Sequence, residues 1–112
     1  MTLPAFETTA KEMGGHADVE VNVMYPGFKF ADGDHVVEVA KRAAEKIGRT
    51  PSLHQSGGGS DANYFNAFGI PTCVLATGMR QIHTHEENIA IEDLEKDAEW
   101  VFEIIKTAAA WK

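Results

Sequence analysis

The chain has 112 residues, of which 44% are hydrophobic and 24% charged, which predicts one ordinary globular domain with a single core. Its net charge of -7, with no basic patch to offset it, argues against partners that are nucleic acids or anionic membranes. The single cysteine, Cys73, excludes an internal disulfide, and the sequence contains neither a leader nor a membrane-spanning run. We therefore predict a cytoplasmic protein.

The first half of the chain predicts a helix, a strand and a second helix. Residues 4–13 place apolar side chains at helical spacing before a pair of glycines. Residues 18–23 alternate polar and apolar, which predicts a strand with one buried face. Asp34 is a candidate cap for a helix that ends at Ile47, just before Gly48, and packs by one apolar stripe.

The second half predicts two strands and two helices. A short strand over residues 53–56 leads through three glycines into a helix over residues 60–68, which Gly69 ends. The apolar run 70–76 is typical of a strand covered on both faces. The last helix begins near Ile91 and carries one apolar side, formed by Leu94, Ala98, Val101, Phe102 and Ile105.

The order of these elements, α-β-α-β-α-β-α, predicts a partial layered α/β sheet. Three strands are few for a sheet that is covered on both sides. The sequence therefore predicts part of a larger α/β fold.

The first candidate site is the glycine-rich segment 56–63, with the sequence SGGGSDAN. Glycines let the backbone approach a ligand closely, and amides at a helix start favour an anion. A tight turn in which Ser60 or Asp61 caps the helix explains the segment equally well. The spacing matches neither a Walker motif nor a dinucleotide fingerprint, so nucleotide phosphate is excluded as its specific partner.

The second candidate site is the polar loop 78–88, which contains His83 and His85 and follows the apolar strand. Ligand sites gather at strand ends in layered α/β proteins. A zinc-binding imidazole is usually held at its second nitrogen by a carboxylate, for which Glu86 and Glu87 are candidates. An equally open interpretation is that these two histidines lie on a solvated loop and bind no ligand.

Other reactive side chains do not point to a site. Ser60 is not in a G-x-S-x-G elbow, and Cys73 lies within an apolar run, where we expect an inert thiol. We predict structural or solvent-exposed roles for the remaining histidines, which are His16, His35 and His54.

Several motifs together resemble the carboxy-terminal part of peptidase T-like tripeptidases, within the wider family of zinc aminopeptidases, glutamate carboxypeptidases and desuccinylases. The motifs are the segments 56–63, 65–66, 69–72 and 76–79 and the pair His83-x-x-x-Glu87. By this resemblance, their order and spacing match the family over most of the chain from Val19 onward. The resemblance implies that His83 is a zinc ligand supported by Glu87, and that His85 is a bystander. It also implies substrate contacts from Gly58, Gly59, Ser60 and Asp61.

The resemblance further implies two domains: residues 1–30 as a remnant of the lid or dimerisation domain, and residues 31–112 as the carboxy-terminal part of the catalytic α/β domain. Such an enzyme would hold two zinc ions and hydrolyse short peptides at a chain end. The sequence lacks the family's His-x-Asp motif, bridging aspartate and catalytic Glu-Glu pair. We therefore predict that this chain alone is inactive, binds zinc weakly or not at all, and self-associates through exposed edges.

Two alternatives stay open from the sequence. One is a non-catalytic small α/β module that binds an anion or serves in assembly. The other is an α/β domain with no site at all.

Overall fold

A computed structural model describes residues 3–112, with side chains from Pro4 onward, so the first two residues of the predicted lid segment lie outside it. The described residues form four helices: α1 (Leu3–Glu12), α2 (His35–Lys46), α3 (Asp61–Ala67) and α4 (Ile91–Ala109). The four helices predicted from the sequence are confirmed. None of the helices in the described part of the chain is both long and apolar enough to cross a membrane.

The predicted layered α/β sheet is wrong for this chain. Residues 3–112 contain no strand, and their only β-type pairing is an isolated antiparallel bridge between Arg80 and Asn88. In the predicted strand 18–23, no backbone amide donates to another backbone group of residues 3–112, and Val23 is 84% exposed. A helix makes its hydrogen bonds within its own segment, whereas a strand needs a neighbouring strand. Alternation of residue types identifies the face that a strand would bury, but it does not supply that neighbour.

Helix α2 packs against α4 by the apolar stripe that the sequence predicts. The Trp100 indole N–H on α4 donates to the Ala40 carbonyl on α2 at 2.9 Å. Asp34 occupies the position before α2, but its carboxylate accepts the Ala31 amide at 2.7 Å and makes no capping bond to the helix. The buried side chains of α2 are Val37, Val39, Ala40, Ala43 and Ala44.

The face of α4 that meets α2 is its more polar face. Asp97 is buried there and accepts a hydrogen bond from the Arg49 guanidinium at 2.8 Å, and Lys46 donates to the Thr107 hydroxyl at 3.0 Å. The opposite side, which we call the α4 apolar face, lines an open hollow, and its Phe102 is 64% exposed. This face consists of Leu94, Ala98, Val101, Phe102 and Ile105.

The expectation of one closed core is also wrong for the described residues. Their radius of gyration is 19.8 Å, and their extents are 62 × 36 × 19 Å. A compact domain of this length has a radius of about 13 Å. Because the helices are spread out and the α4 apolar face is open, burial in residues 3–112 is concentrated in the α2–α4 pair.

Candidate functional site

The glycine-rich segment is held against the residues that precede α2. Gly59 lies so close to the Tyr25 ring that any Cβ at position 59 would overlap the phenol. The Tyr25 ring in turn meets the edge of Tyr64 on α3, with ring centroids 5.6 Å apart. A side chain at position 59 would therefore require the Tyr25 ring to move, and glycine allows the ring to stay in this place.

The start of α3 is fixed by the buried side chain of Asn63. Its amide oxygen accepts the Ser60 N–H at 2.9 Å, and its amide nitrogen donates to the Pro26 carbonyl at 3.0 Å. The Gly58 N–H donates to the Ser56 hydroxyl at 3.2 Å. The amides of Gly58 and Ser60 therefore have partners inside the segment, as in a capped turn, and substrate contact by the four predicted residues stays a prediction.

A second asparagine, Asn66, fastens the segment that follows α3. Its side chain donates to the Thr72 carbonyl at 2.7 Å and accepts the Thr72 amide at 3.0 Å. The chain reverses between them at Gly69, whose φ of 80° lies in the left-handed region that favours glycine. The structural roles of Asn63 and Asn66 were not predicted from the sequence. The only available signal was the place of Asn63 three residues after the helix cap Ser60, a capping-box position.

Residues 80–88, which we call the histidine loop, close on themselves. Arg80 and Asn88 exchange two backbone hydrogen bonds, of 2.8 and 3.1 Å. Between them, His83 has a φ of 65° and Gln81 a φ of 53°. A left-handed backbone costs a residue other than glycine about 1 kcal/mol, so the surrounding contacts must hold it. One such contact is the hydrogen bond from the His83 N–H to the Glu87 carboxylate, at 2.7 Å.

The start of the histidine loop lies near the first turn of α4. The Asp93 carboxylate lies 4.0 Å from the Arg80 guanidinium. It also lies beside Gly78, where an added Cβ would stand 3.2 Å from a carboxylate oxygen. The start of the histidine loop therefore lies close to the helix whose apolar face is open.

The described residues supply one candidate zinc ligand but not a zinc site. The His83 ring is exposed and makes no hydrogen bond within the described part of the chain. Residues 3–112 contain no group of three or more His, Cys, Asp or Glu side chains that could hold a metal ion. A zinc site needs about three protein ligands, so the assignment of His83 as a zinc ligand stays a prediction.

The structure does not join the two candidate sites to each other. No hydrogen bond or ion pair within residues 3–112 connects the glycine-rich segment with the histidine loop. The other histidines have local neighbours: His16 bonds Asp18 at 2.9 Å, His54 bonds Ser52 at 2.8 Å, and His35 lies against Trp111.

Cys73 is half-buried, with its thiol 3.8 Å from the Val36 carbonyl. Burial raises the pKa of this thiol, which disfavours the nucleophilic thiolate. This agrees with the inert thiol that the sequence predicts.

Comparison with known proteins gives the family. Residues 4–107 match Peptidase family M20/M25/M40. The uncharacterized protein YqjE of Bacillus subtilis (strain 168) is 60% identical over 105 residues, which cover 94% of this chain and 28% of that protein.

Two crystal structures are also similar. Aminopeptidase PepT from Bacillus cereus ATCC 10987 is 76% identical with a TM-score of 0.79, over 94% of this chain and 28% of its own. A tripeptidase from Staphylococcus aureus subsp. aureus Mu50 is 46% identical with a TM-score of 0.80, over 92% of this chain and 28% of its own. These matches confirm the resemblance to peptidase T, and the chain spans little more than a quarter of such relatives. The chain belongs to Peptidase family M20/M25/M40.

Proposed function

We propose that this chain is the carboxy-terminal portion of a two-zinc exopeptidase of the tripeptidase or aminopeptidase type, which hydrolyses short peptides, and that it is inactive alone. The observation that carries this proposal is the 76% identity to the Bacillus cereus aminopeptidase over a segment that is only 28% of that enzyme. A cytoplasmic location is part of the proposal and is supported by the single, half-buried Cys73.

Within such an enzyme, His83 would hold one zinc ion through its exposed imidazole. Zinc in a site of this kind lowers the pKa of bound water and polarises the carbonyl of the scissile bond. The residues proposed to contact the peptide are Gly58, Gly59, Ser60 and Asp61. We assign residues 1–30 to the lid or dimerisation domain and residues 31–112 to the catalytic domain.

A chimera tests this proposal directly. We define the chimera as the Bacillus cereus aminopeptidase in which the segment matched by this chain is replaced by this chain. We expect the chimera to hydrolyse trialanine and to bind zinc, because the sequences agree at 76% of positions over that segment. The isolated chain, which lacks a group of three metal ligands in its described residues, should release no alanine under the same conditions. A chimera that folds and binds zinc but cleaves no tripeptide would refute the proposed activity.

The open α4 apolar face predicts self-association of the isolated chain. Exposed apolar patches of this kind favour association or dye binding. We expect the isolated chain to form oligomers by light scattering and to bind the dye ANS, and Phe102→Glu to reduce both. Phe6→Glu is the matched control, because Phe6 is also exposed, at 47%, but lies on α1.

Two results would contradict this prediction. The first is a monomer without dye binding at all concentrations tested. The second is an equal effect of the two substitutions, which would locate the association outside the α4 apolar face.

A further inference from the structure

The backbone of His83 is held in an unusual conformation by a side chain four residues away. Its φ of 65° is left-handed, and its amide donates to the Glu87 carboxylate at 2.7 Å. Hydrogen bonds to a charged acceptor are shorter and stronger than neutral ones. The carboxylate therefore fixes the residue through its main chain and leaves the ring free.

Glu87 is itself held in place by the loop. Its N–H donates to the Thr84 carbonyl at 3.3 Å. The Thr84 hydroxyl donates to the Gln81 carbonyl at 2.7 Å and accepts the Glu86 amide at 3.2 Å. These bonds form one connected network, in which the Glu87 carboxylate is the only side chain that reaches the His83 amide among the described residues.

The direction of a side chain depends on the φ and ψ of its own residue, because Cβ is attached to the backbone carbon that those angles orient. A change of φ at position 83 from the left-handed to an ordinary negative value would turn the imidazole to a different side of the loop. A contact that holds the His83 amide in place therefore also fixes the direction of the imidazole ring.

We propose that Glu87 is a positioning residue for His83, acting through the main-chain amide to aim the imidazole at the metal. This inference rests on the proposed function, in which His83 is a zinc ligand. The role differs from that of a carboxylate that bonds the second nitrogen of the ring, because the bonded atom is the backbone nitrogen. Glu87 does not touch the metal or the substrate in this role.

The first arm of the test uses the isolated, metal-free chain. We expect Glu87→Ala to speed hydrogen exchange of the His83 amide by about tenfold and to shift its NMR signal upfield. Glu87→Gln should have a smaller effect, because an amide oxygen still accepts the bond. The matched control is Glu86→Ala, since the neighbouring Glu86 carboxylate is exposed and bonds no other group within residues 3–112.

The second arm uses the chimera and measures zinc affinity by competition with a chelator. We expect Glu87→Ala to weaken zinc binding by about tenfold or more, with partial recovery in Glu87→Gln, as for other groups that orient metal ligands. Glu86→Ala should change the affinity by less than about twofold. Circular dichroism of each variant checks that the fold is kept.

The outcomes separate the two proposals. An unchanged His83 amide in Glu87→Ala, or unchanged zinc affinity in the Glu87→Ala chimera, overturns the positioning role and leaves the peptidase assignment intact. An unmodified chimera that folds but binds no zinc overturns the assignment of a zinc enzyme and the positioning role with it.

Discussion

His83→Ala in the chimera is expected to lower tripeptide hydrolysis by about a thousandfold or more, because it removes one ligand of a catalytic zinc. The imidazole is exposed on a closed loop and has no protein partner in the described residues, so its removal should leave the loop in place. The measurement is kcat/KM for trialanine, together with the zinc content of the purified protein. Zinc content should fall in parallel with activity.

The matched control is His85→Ala, two residues away on the same exposed loop. We expect this variant to keep activity within about twofold, as surface substitutions usually do. Equal losses in the two variants would argue against a specific role for position 83. Full activity and full zinc content in His83→Ala would remove His83 from the metal site.

Arg49→Ala is expected to lower the free energy of unfolding of the isolated chain by about 2 kcal/mol, because it leaves the Asp97 carboxylate without its partner. The Arg49 guanidinium lies 2.8 Å from one Asp97 oxygen, and the other oxygen is buried with no hydrogen bond to the described residues. The central carbon of the Arg49 guanidinium also lies 5.5 Å from the centroid of the Trp100 ring, so the substitution removes a second contact with α4. Urea unfolding followed by circular dichroism measures the effect.

A double-mutant cycle separates the ion pair from general damage. Arg49→Ala together with Asp97→Ala should be more stable than Arg49→Ala alone, because no unpaired carboxylate then stays buried. The surface control is Lys96→Ala, which breaks the exposed pair with Glu92 and should leave the unfolding free energy nearly unchanged. If Arg49→Ala were as mild as Lys96→Ala, the contact would not stabilise the α2–α4 pair.

Part of the candidate site could be predicted from the sequence and part could not. The resemblance on the pair His83-x-x-x-Glu87 led to both residues, and the structure places them in one hydrogen-bonded loop. The atom that Glu87 contacts was not predictable, because it depends on the left-handed backbone of His83. The packing of Tyr25 on Gly59 was equally hidden, since the two residues lie far apart in sequence and no local pattern links them.

The helices, and the ends of α1, α2 and α3, could be predicted from local patterns in the sequence. Gly14, Gly48 and Gly69 follow α1, α2 and α3, and all three have positive φ, between 76° and 80°. Helices and their stop signals are local, because their hydrogen bonds and dihedral angles involve neighbours within a few residues.

Which faces of these segments are buried and which stay open depends on packing between parts of the chain that are distant in sequence. The residues of the predicted strand 18–23 find no strand to pair with in the described residues, and α4 turns its polar side to α2 and leaves its apolar face open. Both outcomes depend on partners distant in sequence, whose presence no local pattern of residues can specify.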